Sequence, residues 1–200
     1  MPFSTYAELQ ASIAGFLNRD DLAAITADFI ALAESQMQRK IKHWRSEKRC
    51  EADITERYVT LPDDFRQPIR LYVTGSNRAL DLITSAQMQD KRYSTNDQTD
   101  TPCNYCLTAG EIELFPTPSS GTLSMTYRAA IPALGDTNTS NWLLEAAPDA
   151  YLYGSLLQSA PYLQADERLQ SWGLLYKEAI DGLNEASQDA KFGDQRLVAR

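Results

Sequence analysis

Hydrophobic positions recur at helical spacing near both ends of the chain and alternate in its middle. Tyr6, Leu9, Ile13, Phe16 and Leu17 fall on one face at three- and four-residue steps, the period of a helix with one buried side. Thr5 and Glu8 make a Ser/Thr-x-x-Glu capping box at its start, which satisfies two otherwise orphaned amides. Asn18-Arg19-Asp20-Asp21 is a polar break. Phe29, Ile30, Ala33, Met37, Ile41 and Trp44 then predict a second, longer helix, whose last turns carry Arg39, Lys40, Lys42, Arg45, Lys48 and Arg49. Towards the other end, Pro148 suits a first helical turn, where its missing N–H does no harm. A helix is expected over 150–163, interrupted near Pro161. Leu169, Trp172, Tyr176, Ala179, Ile180, Leu183 and Ala186 mark the most regular helix, over 166–190.

Near Cys50 the period shortens to two. Ala52, Ile54, Tyr58, Val59 and Leu61 read as strand, and Pro62-Asp63-Asp64 as a turn, since proline fixes φ and aspartate bonds its own backbone. Ile69, Leu71 and Val73 alternate, Gly75-Ser76-Asn77 turns, and 79–83 completes an expected hairpin. A short helix is expected over 85–92 and an exposed loop over 93–102. Strands follow at 105–108, 112–115 and 122–127, with Leu123, Met125 and Tyr127 on one face and Thr122, Ser124 and Thr126 on the other. That pattern suits an antiparallel sheet covered on one side.

The expected fold class is therefore α+β: an antiparallel helical bundle built from the N- and C-terminal helices, with an inserted antiparallel β-rich segment and a C-terminal tail. Residues 1–48 and 141–190 would form the bundle, 49–140 the insertion and 191–200 the tail.

Composition narrows the function. The formal charge is −8 over 200 residues, which disfavours a protein that clamps a nucleic-acid backbone, because that affinity comes from Lys and Arg on phosphates. It does not disfavour a surface that nucleic acid slides past. The opening MPFSTYAELQ lacks a basic leader followed by an apolar core, so no signal peptide is expected, and no apolar run approaches the ~18 residues of a membrane span. Three cysteines are too few for a disulfide scaffold, and synthesis in a reducing cytosol is expected.

Candidate chemistry is sparse. His43 is the sole histidine and lies among cations, which lowers its value as a base; a helix-end capping or interfacial role suits it better. Cys103-x-x-Cys106 enters a strand rather than a helix N-terminus, so its cysteines point to opposite faces. A zinc site would need Cys50 and His43 as further ligands. Asp20-Asp21 and Asp63-Asp64 mark a break and a turn. Neither a P-loop nor a G-x-G-x-x-G motif occurs. No catalytic residue, metal or cofactor is assigned. The basic run from Arg39 to Arg49 is a candidate contact to an acidic protein or to passing nucleic acid, against its reading as the solvated end of a helix.

Longer stretches carry a resemblance. T-Y-A-E-L-x-x-x-I-x-x-F-L-x-R-x-D-L spans Thr5 to Leu22, and D-F-I-A-L-A-E-S-Q-M-Q-R spans Asp28 to Arg39. Y-V-T-L-P-D-D-F follows from Tyr58 and G-E-I-E-L-F-P-T-P from Gly110, then L-S-M-T-Y-R-A-A-I-P-A-L from Leu123. N-W-L-L-E-A-A-P-D-A-Y-L-Y-G-S-L-L runs from Asn141 and A-P-Y-L-Q-A-D-E-R-L-Q-S-W from Ala160. In this order the pieces resemble the head-to-tail adaptor (connector) proteins of tailed bacteriophages.

The resemblance implies a non-enzymatic virion protein of the head–tail neck, made in the bacterial host. Such adaptors form a ring, usually a dodecamer, beneath the portal protein. They extend the channel for double-stranded DNA without specific binding and offer a platform to a tail nozzle or tail tube protein. It implies that the terminal segment grips the portal, here through Phe192, Arg196, Leu197, Val198 and Arg200. Arg39, Lys40, Lys42 and Arg45 are candidates for a subunit interface or the channel. The rival reading is a carbohydrate- or protein-binding accessory module of a phage tail, with 93–102 as the rim of its site. A small hydrolase with an unrecognised site is a third.

Overall fold

The computed structural model describes residues 3–95, 99–163 and 167–193. The chain divides into two compact units, one of residues 1–46 with 131–200, the other of 47–130.

The first unit is helical: α1 (Tyr6–Leu17), α2 (Thr26–Lys40), α4 (Trp142–Ala146), α5 (Pro148–Gln158) and α6 (Arg168–Phe192). α1 begins as its sequence dictates. Thr5 Oγ1 accepts from the Glu8 amide at 3.3 Å while the Glu8 carboxylate accepts from the Thr5 amide at 3.2 Å. It ends where Asn18 turns left-handed at φ 51°. Leu9 and Ile13 of α1, Phe29, Ala33 and Met37 of α2, Tyr151 and Leu156 of α5, and Trp172, Tyr176 and Ile180 of α6 share one apolar core. α5 lies at its centre and packs on α1, α2 and α6. Close approach there requires Gly154: an added Cβ would meet the Tyr176 ring at 3.0 Å and Met37 Cε at 3.2 Å. Asn141 caps α4, its side-chain oxygen accepting from the amides of Leu143 and Leu144 at 3.1 and 2.8 Å.

The second unit holds β1 (Glu47–Asp53), β2 (Tyr58–Thr60), β3 (Phe65–Val73), β4 (Asp81–Leu82), α3 (Ser85–Thr95), β5 (Asn104–Thr108), β6 (Glu111–Phe115) and β7 (Thr122–Ala129). Its strands make two sheets, ordered β1-β7-β3 and β2-β6-β5-β4. Leu71, Val73, Leu123, Met125 and Tyr127 of the first sheet share a core with Tyr105, Ile112 and Leu114 of the second. β5 and β6 join through Ala109 and Gly110, both at positive φ (49° and 88°), which suits a tight hairpin turn. α3 buries Met88 against Cys106 and Phe115.

The class is α+β, but not a helical bundle carrying an antiparallel β-rich insertion. Six α-helices and seven strands are present among the described residues, and the β-rich part has its own core. One strand pair, β4 with β5, is parallel. The expected hairpin across Gly75 is short, closed by an antiparallel bridge from Tyr72 to Ala79 and by the Leu80 amide donating to Leu71 O at 2.9 Å, while the full length of β3 pairs with the distant β7. Alternation finds a strand but not its partner, and β7 draws together strands far apart in sequence. Ala147 and Pro148 separate α4 from α5, and α5 stops at Gln158, short of the helix expected over 150–163. The segment expected as a tail begins inside a helix, because α6 continues through Phe192.

Candidate interaction surfaces

The cations Arg39 and Lys40 close α2, which stops three residues short of His43. Most of the group is engaged within the helical unit. Arg39 Nη1 donates to Ser35 Oγ at 3.1 Å. Lys40 Nζ sits 4.9 Å above the Tyr176 ring and Arg45 Cζ 5.6 Å above that of Trp44. Lys42 is exposed, and its amide donates to Asn184 Oδ1 at 2.8 Å. His43 is buried rather than available as a base: its ring stacks on Trp142 at 5.1 Å and its Nδ1 accepts from the Arg45 amide at 3.2 Å.

Phe192, the last residue of α6, is 65% exposed. An apolar ring held out at a helix end is available for contact. Arg196, Leu197, Val198 and Arg200 lie outside the described residues.

The segments entering and leaving the helical unit are held by side chains that sequence reasoning missed. Asn184 of α6 accepts from Lys42 N and donates to Lys40 O at 3.3 Å, and Ser187 Oγ accepts from Trp44 N at 2.9 Å. α2 holds the returning segment with two residues one turn apart. Gln38 donates to Ile131 O at 2.6 Å and accepts from Ile131 N at 3.0 Å. Glu34 accepts from Leu134 N at 2.8 Å and from Tyr151 Oη at 2.9 Å. Burial pushes the Glu34 carboxyl above its ordinary range, although both donors oppose the shift, and burial then the nearby Glu34 push the Tyr151 phenol up. A signal existed: Glu34 interrupts the apolar stripe of α2, where an acid stays only with partners.

The cysteines are not assembled for chemistry. Cys103 is exposed and Cys106 buried, on opposite faces as strand geometry requires. Burial raises the Cys106 and Cys50 thiols, which favours the unreactive thiol form. No group of three or more His, Cys, Asp or Glu side chains suited to a metal occurs among the described residues. Of the acid pairs, Asp64 serves structure. It accepts from Lys48 Nζ at 2.6 Å and from Tyr127 Oη at 2.8 Å, and the lysine holds its carboxyl below the usual range. Burial, then donation to Asp64, pushes the Tyr127 phenol up to about 12. Glu113 accepts from Arg92 Nη2 at 2.8 Å, and the pair is nearly covered.

Large apolar side chains stand exposed: Tyr58 and Tyr72 on strands, and Leu174 and Phe192 on α6. Such side chains are available for contact with other proteins. A model of the SU10 adaptor protein family matches residues 4–198, and the chain belongs to that family of phage head–tail adaptors. It is a structural component of a bacteriophage virion that associates with other virion components. No curated protein matches the chain. No helix among the described residues is long and apolar enough to cross a membrane.

Proposed function

We propose that this adaptor assembles as a ring, a dodecamer by the resemblance, beneath the portal of the DNA-filled head, without enzymatic activity. The ring extends the channel for double-stranded DNA and presents a platform to a tail nozzle or tail tube protein. The observation that carries this reading is the family match across 4–198. The acidic balance supports it, because a net charge of −8 repels phosphates that must pass without sticking.

Within that reading the C-terminal segment grips the portal, through Phe192, Arg196, Leu197, Val198 and Arg200. The exposed ring of Phe192 at the end of α6 supports this role. The exposed side chains of Lys42 and Arg45, with Arg39 and Lys40, face a neighbouring subunit or the channel. Tyr58 and Tyr72, exposed on strands, are also what an accessory binding module would display, but membership of an adaptor family favours contact with virion proteins.

The test is to mix the full chain with its portal protein and image the product by electron microscopy. A ring seated on the portal is expected. A portal that remains bare at saturating adaptor overturns the reading.

A further inference from the structure

The outer face of the β1-β7-β3 sheet carries a cationic concavity. Arg49 of β1 and Arg70 of β3 both pair with Thr126 of β7, one on each side, so the three form a single cross-strand row. Tyr72, Ser76, Asn77 and Arg78 complete the concavity. Arg78 is paired with Asp81 at 2.5 Å. The side chains of Arg49 and Arg70 make no hydrogen bond or ion pair among the described residues. Glu51 stands one row along, opposite Ser124, yet bonds neither. Like charges gathered on one face destabilise a sheet, so these guanidinium groups call for an anion from outside. Arginine beside an exposed tyrosine is also the composition of an interface centre.

The same chain carries a matching surface. Glu178, Asp181 and Glu185 lie at three- and four-residue steps along α6, all exposed. Leu174, 71% exposed, continues the stripe by one turn. The spacings agree. Glu178 and Glu185 are seven residues apart, roughly 10 Å at the helical rise. Arg49 and Arg70 are two strand spacings apart, also roughly 10 Å.

We infer that the acidic stripe of α6 in one copy docks on the Arg49–Thr126–Arg70 row of the next, with Glu178 and Glu185 meeting the two arginines. The contact joins two different faces, so it repeats from copy to copy and closes if the rotation allows. It rests on the ring reading and names the faces that build the ring. Lys40 and Arg45 each lie over an aromatic ring of their own chain, whereas the Arg49 and Arg70 side chains have no such partner among the described residues.

The experiment uses two full-length variants, Arg49→Glu/Arg70→Glu and Glu178→Arg/Glu185→Arg. Their assembly is followed by native mass spectrometry under the conditions, with portal protein if required, in which the wild-type chain assembles. All four positions are exposed, and circular dichroism confirms that each variant folds. Each variant alone presents like charges at every contact and should associate roughly a hundredfold more weakly, given the penalty for like charges across an interface. An equal mixture restores opposite charges at every contact and should assemble with the two variants in equal numbers. Assembly of either variant alone at wild-type strength, or failure of the mixture, overturns the contact while leaving the ring in place. A wild-type chain that stays monomeric with and without portal overturns the ring reading and this contact together.

Discussion

At the scale of single residues, buried polar groups fix the helical unit. Glu34 is an acid in an apolar stripe, and its two acceptor bonds hold α5 and the segment returning from the β-rich unit. Glu34→Ala leaves the Leu134 amide and Tyr151 hydroxyl without that acceptor, and should cost about 2–4 kcal/mol, from the penalty for stranding buried donors. Chemical denaturation measures it. The pH response has a definite sign. Because the folded-state pKa of Glu34 is raised, folding takes up a proton between about 4.3, the ordinary glutamate value, and that raised value. Its contribution is most favourable below this window and declines as pH rises through it. Glu34→Gln should flatten that segment of the stability–pH curve. Asp64 acts in the opposite sense. Its pKa is depressed, so its contribution is present above about 3.9 and lost as pH falls through the lower folded value. Lys48 is 57% exposed, so this effect is small. Asp64→Asn should remove it from acid-unfolding curves.

At the scale of elements, α5 is the piece on which the other helices depend. Gly154 admits α2 and α6 to close contact, with Tyr176 and Met37 already at the edge of the space a Cβ would fill. Gly154→Val should cost about 1–3 kcal/mol through overpacking, read as a lower urea midpoint with an unchanged slope. Much of the element order was legible in the sequence because its signals are local. The capping box at Thr5 and Glu8, the stripe of α6 and the alternation of Leu123, Met125 and Tyr127 each act within a few residues. What escaped was non-local. Nothing near Arg49 says that it will share a row with Thr126 and Arg70, and nothing near Asp81 says that β4 will lie parallel to β5. The basic run likewise read as one helix end, whereas the structure stops α2 at Lys40, buries His43 and places Lys48 and Arg49 in a strand. Of the residues proposed to grip the portal, Phe192 alone lies in the described part of the chain.

At the scale of the whole molecule, the sequence and the family agree on an adaptor that works through surfaces. Removing residues 192–200 should weaken binding to portal in a pull-down while leaving the thermal unfolding midpoint nearly unchanged, since Phe192 is exposed and outside the helical core. Neutralising Arg39, Lys40, Lys42 and Arg45 together should weaken ring assembly. Assembly at wild-type strength would remove those cations from the subunit interface. The most direct measurement for the ring is the mass of the full chain by native mass spectrometry, alone and after mixing with its portal protein. The account predicts a closed oligomer carried by the portal, with monomer alone or a ring alone both compatible with it. A chain that remains monomeric and leaves the portal mass unchanged would contradict it.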